Sequence, residues 1–365
     1  MTRVAISSVG DDVDAAFARA MRLSDCEGLI RRGDSVLIKP NWNAVGTAGS
    51  TSLGVVQAAC RWARRQGAGE VIVGEGPVPV SRAQIEAYLK ELGVPGSIAE
   101  VGARFVLFDD DEHVLYSDEP DLPPEIGIAR LALEADILIN IPLMKVHSTC
   151  VATLCVKNLK GCLRPQDKMA FHRVGLLPTI VALNRLVRPH INVIDAIEAM
   201  EGDHNRGPLV PLGLLIAGQD RVAVDAIGCA QMGIDPGDVP LLRMAAKAGL
   251  GEFTLKKIAL SGDTVEPRRF ELPQEQLRRR YTDLTLDDSG ACTACNAALM
   301  DGLFIAGASR RVSSVAIGPD AQPAPGALVV GNCLRKYWPT HPHVEGCPPS
   351  GHAVAAALCR GGDEA

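Results

Sequence analysis

Residues 135–142 read ADILINIP, and two residues further on, at 145–173, comes KVHSTCVATLCVKNLKGCLRPQDKMAFHR. The first is an apolar run of strand length, as a buried strand requires. The second carries six basic side chains (Lys145, Lys157, Lys160, Arg164, Lys168, Arg173), two histidines (His147, His172) and one acid, Asp167. A buried strand that delivers a cationic segment at its end fits an open α/β sheet. Ligands of such sheets bind beyond the carboxyl ends of the strands.

The same arrangement recurs upstream. Val36-Leu37-Ile38 is a strand run that ends at Lys39, Pro40 and Asn41. Val71-Ile72-Val73 is followed by a glycine and Glu75. Helical patterns lie between: Asp11 to Leu23, the segment after Ser52 that runs to Gly67, and Arg82 to Leu92. Downstream, INVIDAIEAMEG (191–202) starts as a strand and is expected to place Asp195 at its end. Residues 212–233 read as a strand, a turn at Gly218-Gln219-Asp220 and a helix that carries Asp225. Strands alternating with helices give the fold class: α/β, with a mixed, largely parallel sheet flanked by helices. To this is added a small C-terminal metal-binding segment. The expected division is an α/β domain at 1–266, a polar connection at 267–288 and a cysteine-bearing domain at 289–365.

The chain of 365 residues holds 37 Lys and Arg against 43 Asp and Glu, a net charge of −6. That balance argues against a nucleic-acid binder. No apolar run reaches the roughly 20 residues of a membrane span, and no signal-peptide pattern opens the chain. A cytoplasmic location is expected, where 11 cysteines serve as thiols or metal ligands rather than disulfides. The Gly/Ser/Thr loop at 46–54 has neither dinucleotide-binding nor P-loop spacing, so neither NAD nor ATP is expected.

Cys292, Cys295, Cys333 and Cys347 form the candidate metal set. The first two are one helical turn apart, and the last is followed by Pro348. Four thiolates suit a [4Fe–4S] cluster or a tetrahedral zinc, and the cysteine–proline ending favours the cluster. Cys150, Cys155 and Cys162 have no common ligand spacing and are expected to be buried thiols.

A cationic block in an acidic chain asks for an anion. Lys39, Asn41, Lys145, Asn158 and Lys168 are the candidate substrate-binding residues, since converging lysines hold carboxylate or phosphate as point charges. His147, His172, Lys157, Glu75 and Asp195 are the candidates for proton transfer, because crowded cations bring a lysine or histidine toward neutrality. Asp225 is a further candidate acid.

Five motifs in order, VLIKPNWN, VIVGEGP, KVHSTCVATLCVKNLKGCL, DAIEAMEGDHNRGP and GQDRVAVDAIG, resemble the domain-of-unknown-function 362 family over roughly residues 4–262. The resemblance implies that 289–365 belongs to the iron–sulfur segments often joined to this domain. Here the four cysteines are spread wider than in a compact ferredoxin module. The function expected is an iron–sulfur redox enzyme acting on a small anion, with an electron-donor protein as a possible partner. The alternatives are a non-redox isomerase, racemase or hydro-lyase with a structural metal, or a non-catalytic cluster carrier.

Overall fold

The computed structural model describes residues 2–360 apart from 45, 79, 149 and 204, and apart from the side chains at 172, 173, 293 and 294. The chain forms two compact units: Met1–Val146 with Ala152–Phe270, and His147–Val151 with Glu271–Ala365.

The apolar strand runs found in the sequence pair side by side in the first unit. The sheet order is Ile258–Gly262, Thr2–Ser8, Leu209–Gly218, Ile191–Met200, Ile137–Asn140, Ser35–Lys39, Glu70–Glu75, Arg104–Leu107. Neighbours are parallel except where Leu209–Gly218 runs against both of its partners. This is the mixed, mostly parallel α/β sheet that the sequence implies. Strand Leu143–His147 adds on beside Ile191–Met200.

Helices cover the sheet because their ends are chemically fixed. Asp12 accepts the N–H of Ala15 before helix Val13–Leu23. Asp220 accepts from Val222 and Ala223 before helix Arg221–Gln231. Helix Leu53–Gln66 stops at Gly67, whose φ of 101° is the left-handed C-cap that glycine adopts without strain. Phe17, Trp62, Val36, Ile38, Val71 and Ile139 meet in the core between these helices and the sheet.

Two expectations about element ends change. Strand Ile191–Met200 runs five residues past Asp195, through a bulge between Ala196 and Glu198. Asp195 therefore lies inside the strand and not at its end. Apolar side chains continue on both sides of it, and a single acid does not stop a strand that can satisfy it.

Much of the expected connection, from Glu271 on, folds with the second unit. It contributes helix Pro273–Arg280 and strand Thr285–Asp287, and Leu277 is buried with Leu299 and Leu303. That strand opens a four-stranded parallel sheet with Ser314–Ile317, Leu328–Val330 and His343–Val344.

Candidate active site

The strand ends of the first unit carry the chemistry. Lys39 closes Ser35–Lys39, and its ammonium donates to Glu75 Oε1 at 2.7 Å and to the Pro40 carbonyl at 3.0 Å. Glu75 also accepts the N–H of Trp42 at Oε2 (2.9 Å) and that of Gly76 at Oε1 (2.8 Å). The two side chains are only 1% and 2% exposed. Gly161 lies over them so closely that a Cβ there would sit 2.6 Å from both Lys39 Nζ and Glu75 Oε1. Only glycine lets this backbone seal the pair. Both charges are answered inside the protein, which makes the pair a clasp between adjacent strands.

Asn158 stands on the short helix Cys155–Asn158. Its Nδ2 donates to the Pro40 carbonyl (3.0 Å) and to Asn140 Oδ1 (2.8 Å), while its Oδ1 accepts from Asn41 Nδ2 (3.0 Å). Asn140 continues the row, with Nδ2 donating to Asn192 Oδ1 at 3.1 Å and to the Cys155 carbonyl at 3.0 Å. Asn192 Nδ2 ends it on the Gln219 carbonyl at 3.0 Å.

The short helix is held from below by Asp225, which accepts the N–H groups of Cys155 (2.7 Å) and Val156 (2.9 Å). Burial pushes the Asp225 carboxyl up to about 7 against those two hydrogen bonds. Asp195 has a similar task. It takes the N–H of Ser52 at 2.7 Å and that of Ile197 at 3.1 Å, and burial raises its carboxyl to about 6. Ser52 immediately precedes helix Leu53–Gln66, so Asp195 fixes the loop that enters that helix.

Lys145 differs from Lys39. It is buried, and its ammonium donates to the Gly49 carbonyl at 3.0 Å. Burial, then the nearby Lys157 cation, push it down to about 7; Glu75 and Asp203 pull weakly the other way. An amine with that value exchanges protons readily near neutrality. Lys168 on helix Pro165–Val174 donates to the carbonyls of Gly76 (3.0 Å) and Pro77 (2.7 Å). Burial lowers its pKa as well, opposed by Asp109 and Glu75.

Of the residues singled out from the sequence, Lys39, Asn41, Glu75, Lys145, Lys157, Asn158 and Lys168 therefore assemble around the strand ends of one unit, with Asp195 behind them as a loop anchor. His147 ends strand Leu143–His147, belongs to the other compact unit, and accepts the Cys150 N–H at Nδ1 (3.3 Å). The side chain of His172 lies outside the described residues. The sequence reading missed Asn140 and Asn192. Each is a polar residue inside an otherwise apolar strand run, and that was the available signal. It also missed Asp109 and His113, whose Oδ1 and Nε2 are buried with no partner among the described residues.

In the second unit the Cys295 thiol is hydrogen-bonded with Cys292, and Cys333 and Cys347 are near enough for their charge to raise it further. Gly331 passes close by, and a Cβ there would lie 3.1 Å from Cys295 Sγ. Asn332 and Gly346 tie the two later cysteine loops together, Asn332 N–H to the Gly346 carbonyl (3.0 Å) and Gly346 N–H to Asn332 Oδ1 (2.8 Å). Among the described residues, no group of three or more His, Cys, Asp or Glu side chains stands in metal-holding geometry. The thiols are neighbours without being drawn into a ligand shell. Cys150, Cys155 and Cys162 are buried in the structure. No helix among the described residues is long and apolar enough to cross a membrane.

A family model described as "Domain of unknown function (DUF362)" matches residues 36–230. A thylakoid-associated protein of Synechocystis sp., sll1697, is 28% identical over 243 residues, 60% of this chain and 70% of that one. Among solved structures, the lactate racemase apoprotein of Thermoanaerobacterium thermosaccharolyticum aligns with 11% identity and a TM-score of 0.49, covering 99% of this chain and 81% of that one. A structural-genomics protein from Thermotoga maritima aligns with 11% identity and a TM-score of 0.38, covering 88% and 71%.

Proposed function

The chain belongs to the DUF362 family, and from the chemistry of its strand ends we propose that it is an iron–sulfur enzyme. In this reading it binds a small carboxylate or phosphate in the first unit and moves a proton there. The observation that carries the reading is Lys145, a buried amine with no carboxylate on it among the described residues, brought to about 7 by burial and by Lys157. A folded protein gains nothing from an amine desolvated in this way unless something uses it. An arriving anion would supply the missing countercharge, draw Lys145 toward its protonated form and be held by Lys157 and Lys168. Near neutrality both forms of Lys145 are present, and its neutral form would accept a proton from the substrate that its protonated form would return.

The cofactor belongs to the second unit. Four thiols brought near one another, with glycine at 331 leaving room beside Cys295, are a donor set for a [4Fe–4S] cluster or a zinc ion. Cys292, Cys295, Cys333 and Cys347 would hold it. Once bound, a cluster with four protein thiolates supplies one-electron transfer, and an electron-donor protein is then the implied partner.

Anaerobic purification with iron, sulfide and zinc analysis tests this. Iron and sulfide in equal amounts with a reducible visible spectrum are expected, lost in Cys295→Ala and kept in Cys162→Ala. A colourless protein containing zinc would remove the redox reading and leave a proton-transferring isomerase or racemase, which the near-neutral Lys145 also fits.

A further inference from the structure

The row of asparagines leaves one atom over. An amide side chain can face either way, but here the backbone decides. Pro40, Cys155 and Gln219 present carbonyl oxygens, which only accept, so Asn158, Asn140 and Asn192 must each turn Nδ2 toward them. With Asn158 fixed, its Oδ1 faces Asn41, and Asn41 must answer with Nδ2. Its Oδ1 is then directed elsewhere. That oxygen is buried and has no partner among the described residues.

A buried acceptor left unpaired is costly to keep. This one also heads a row of four aligned amides, Asn41 to Asn158 to Asn140 to Asn192. Each bond in such a row polarises the next, so the head oxygen is a better acceptor than an isolated amide. Asn41 is tied to the same loop as Lys145. Asn41 N–H donates to Thr51 Oγ1 (2.7 Å), and two residues earlier on the same loop Gly49 receives Lys145. Two residues of chain span at most about 7 Å, so Asn41 and Lys145 are fixed to one short stretch of chain.

We infer that the ligand carries a hydroxyl beside its anionic group, and that Asn41 Oδ1 accepts the hydroxyl proton and selects for it; the ligand class is a small hydroxy carboxylate. This rests on the anion-pocket reading. A protonated amine would also donate to Asn41, but it would add a cation to a pocket whose proposed anion holders, Lys145, Lys157 and Lys168, are themselves basic. A hydroxyl brings the donor without the charge. A ligand without a donor leaves the oxygen unpaired.

Isothermal titration calorimetry of the full chain with 2-hydroxybutyrate, butyrate and 2-aminobutyrate tests the inference. The hydroxy acid is expected to bind about tenfold tighter than either of the others, the factor that roughly 1.4 kcal/mol confers. In Asn41→Ala the hydroxy acid should bind no tighter than butyrate does to the same variant. If butyrate or 2-aminobutyrate binds the wild type as tightly as the hydroxy acid, or if the preference survives in Asn41→Ala, the inference is overturned while the anion pocket stands. If none of the three binds, the pocket reading fails and the inference with it. Should Asn41→Ala not fold, the wild-type series alone decides.

Discussion

Lys39 ends strand Ser35–Lys39 and Lys145 lies inside strand Leu143–His147 of the same sheet, and both are buried, at 0% and 3% residue exposure. Their partners differ. Lys39 has Glu75 at 2.7 Å, and Glu75 is braced by two backbone N–H groups. Lys145 has one carbonyl and a neighbouring cation. A buried charge that is paired and hydrogen-bonded is part of the scaffold. A buried amine without an opposite charge, pushed toward neutrality, is a group the scaffold does not need. The contrast separates a structural lysine from a functional one in a segment where the sequence shows only basic residues.

The sharpest way to break the contrast is to unpair Lys39. Lys39→Met leaves the Glu75 carboxylate buried without its cation, which for such pairs costs about 3–5 kcal/mol. Urea unfolding should show that loss, and Lys39→Met with Glu75→Leu should recover part of it, since an apolar pair of similar volume is often neutral. A loss in Lys39→Met below about 1 kcal/mol would mean that the pair is no clasp.

A middle-sized effect is expected at Asp225. Its two oxygens satisfy Cys155 and Val156 N–H, below the helix that carries Lys157 and Asn158. Asp225→Ala strands two buried donors and should cost about 2–4 kcal/mol. It should also weaken anion binding, because both residues on that helix lose their support. Unchanged binding alongside reduced stability would detach the helix from the pocket.

The sequence announced the parts of this site that break a pattern. Lys39 and Glu75 are charged residues after apolar runs and end their strands, while Lys145, expected just past a strand, lies inside strand Leu143–His147. Cys150, Cys155 and Cys162 were legible as buried thiols because their spacing fits no common ligand set and the segment around the first two is apolar. What sequence could not distinguish was pairing. Whether a lysine meets a carboxylate or a carbonyl depends on which strands are neighbours, and Lys39 and Glu75 are 36 residues apart. Asp195 was misplaced for a related reason: its partners are the N–H groups of Ser52 and Ile197, one of them 143 residues away. The asparagine row was invisible because Asn140 and Asn192 look like interruptions of apolar strands, and only their adjacency across parallel strands makes them a chain.

The smallest loss of stability is expected at Lys145, and it is the most discriminating. Lys145→Met removes an amine that the fold desolvates with no carboxylate on it among the described residues, so stability at neutral pH should not fall. Anion binding should be lost. The pH dependence carries the sign. Lys145 titrates at about 7 in the folded protein and near 10.4 when unfolded. Between those values the unfolded chain holds a proton that the folded chain lacks, so this lysine makes stability rise with pH from about 7 to about 10.4. The penalty is complete below 7 and gone above 10.4. Lys168, lowered by burial, and the buried thiols, raised by burial, are common to both proteins, so the difference between the wild-type and Lys145→Met curves isolates the one amine. Parallel curves across that range would place Lys145 with Lys39, as an ordinary charged lysine whose partner keeps it so.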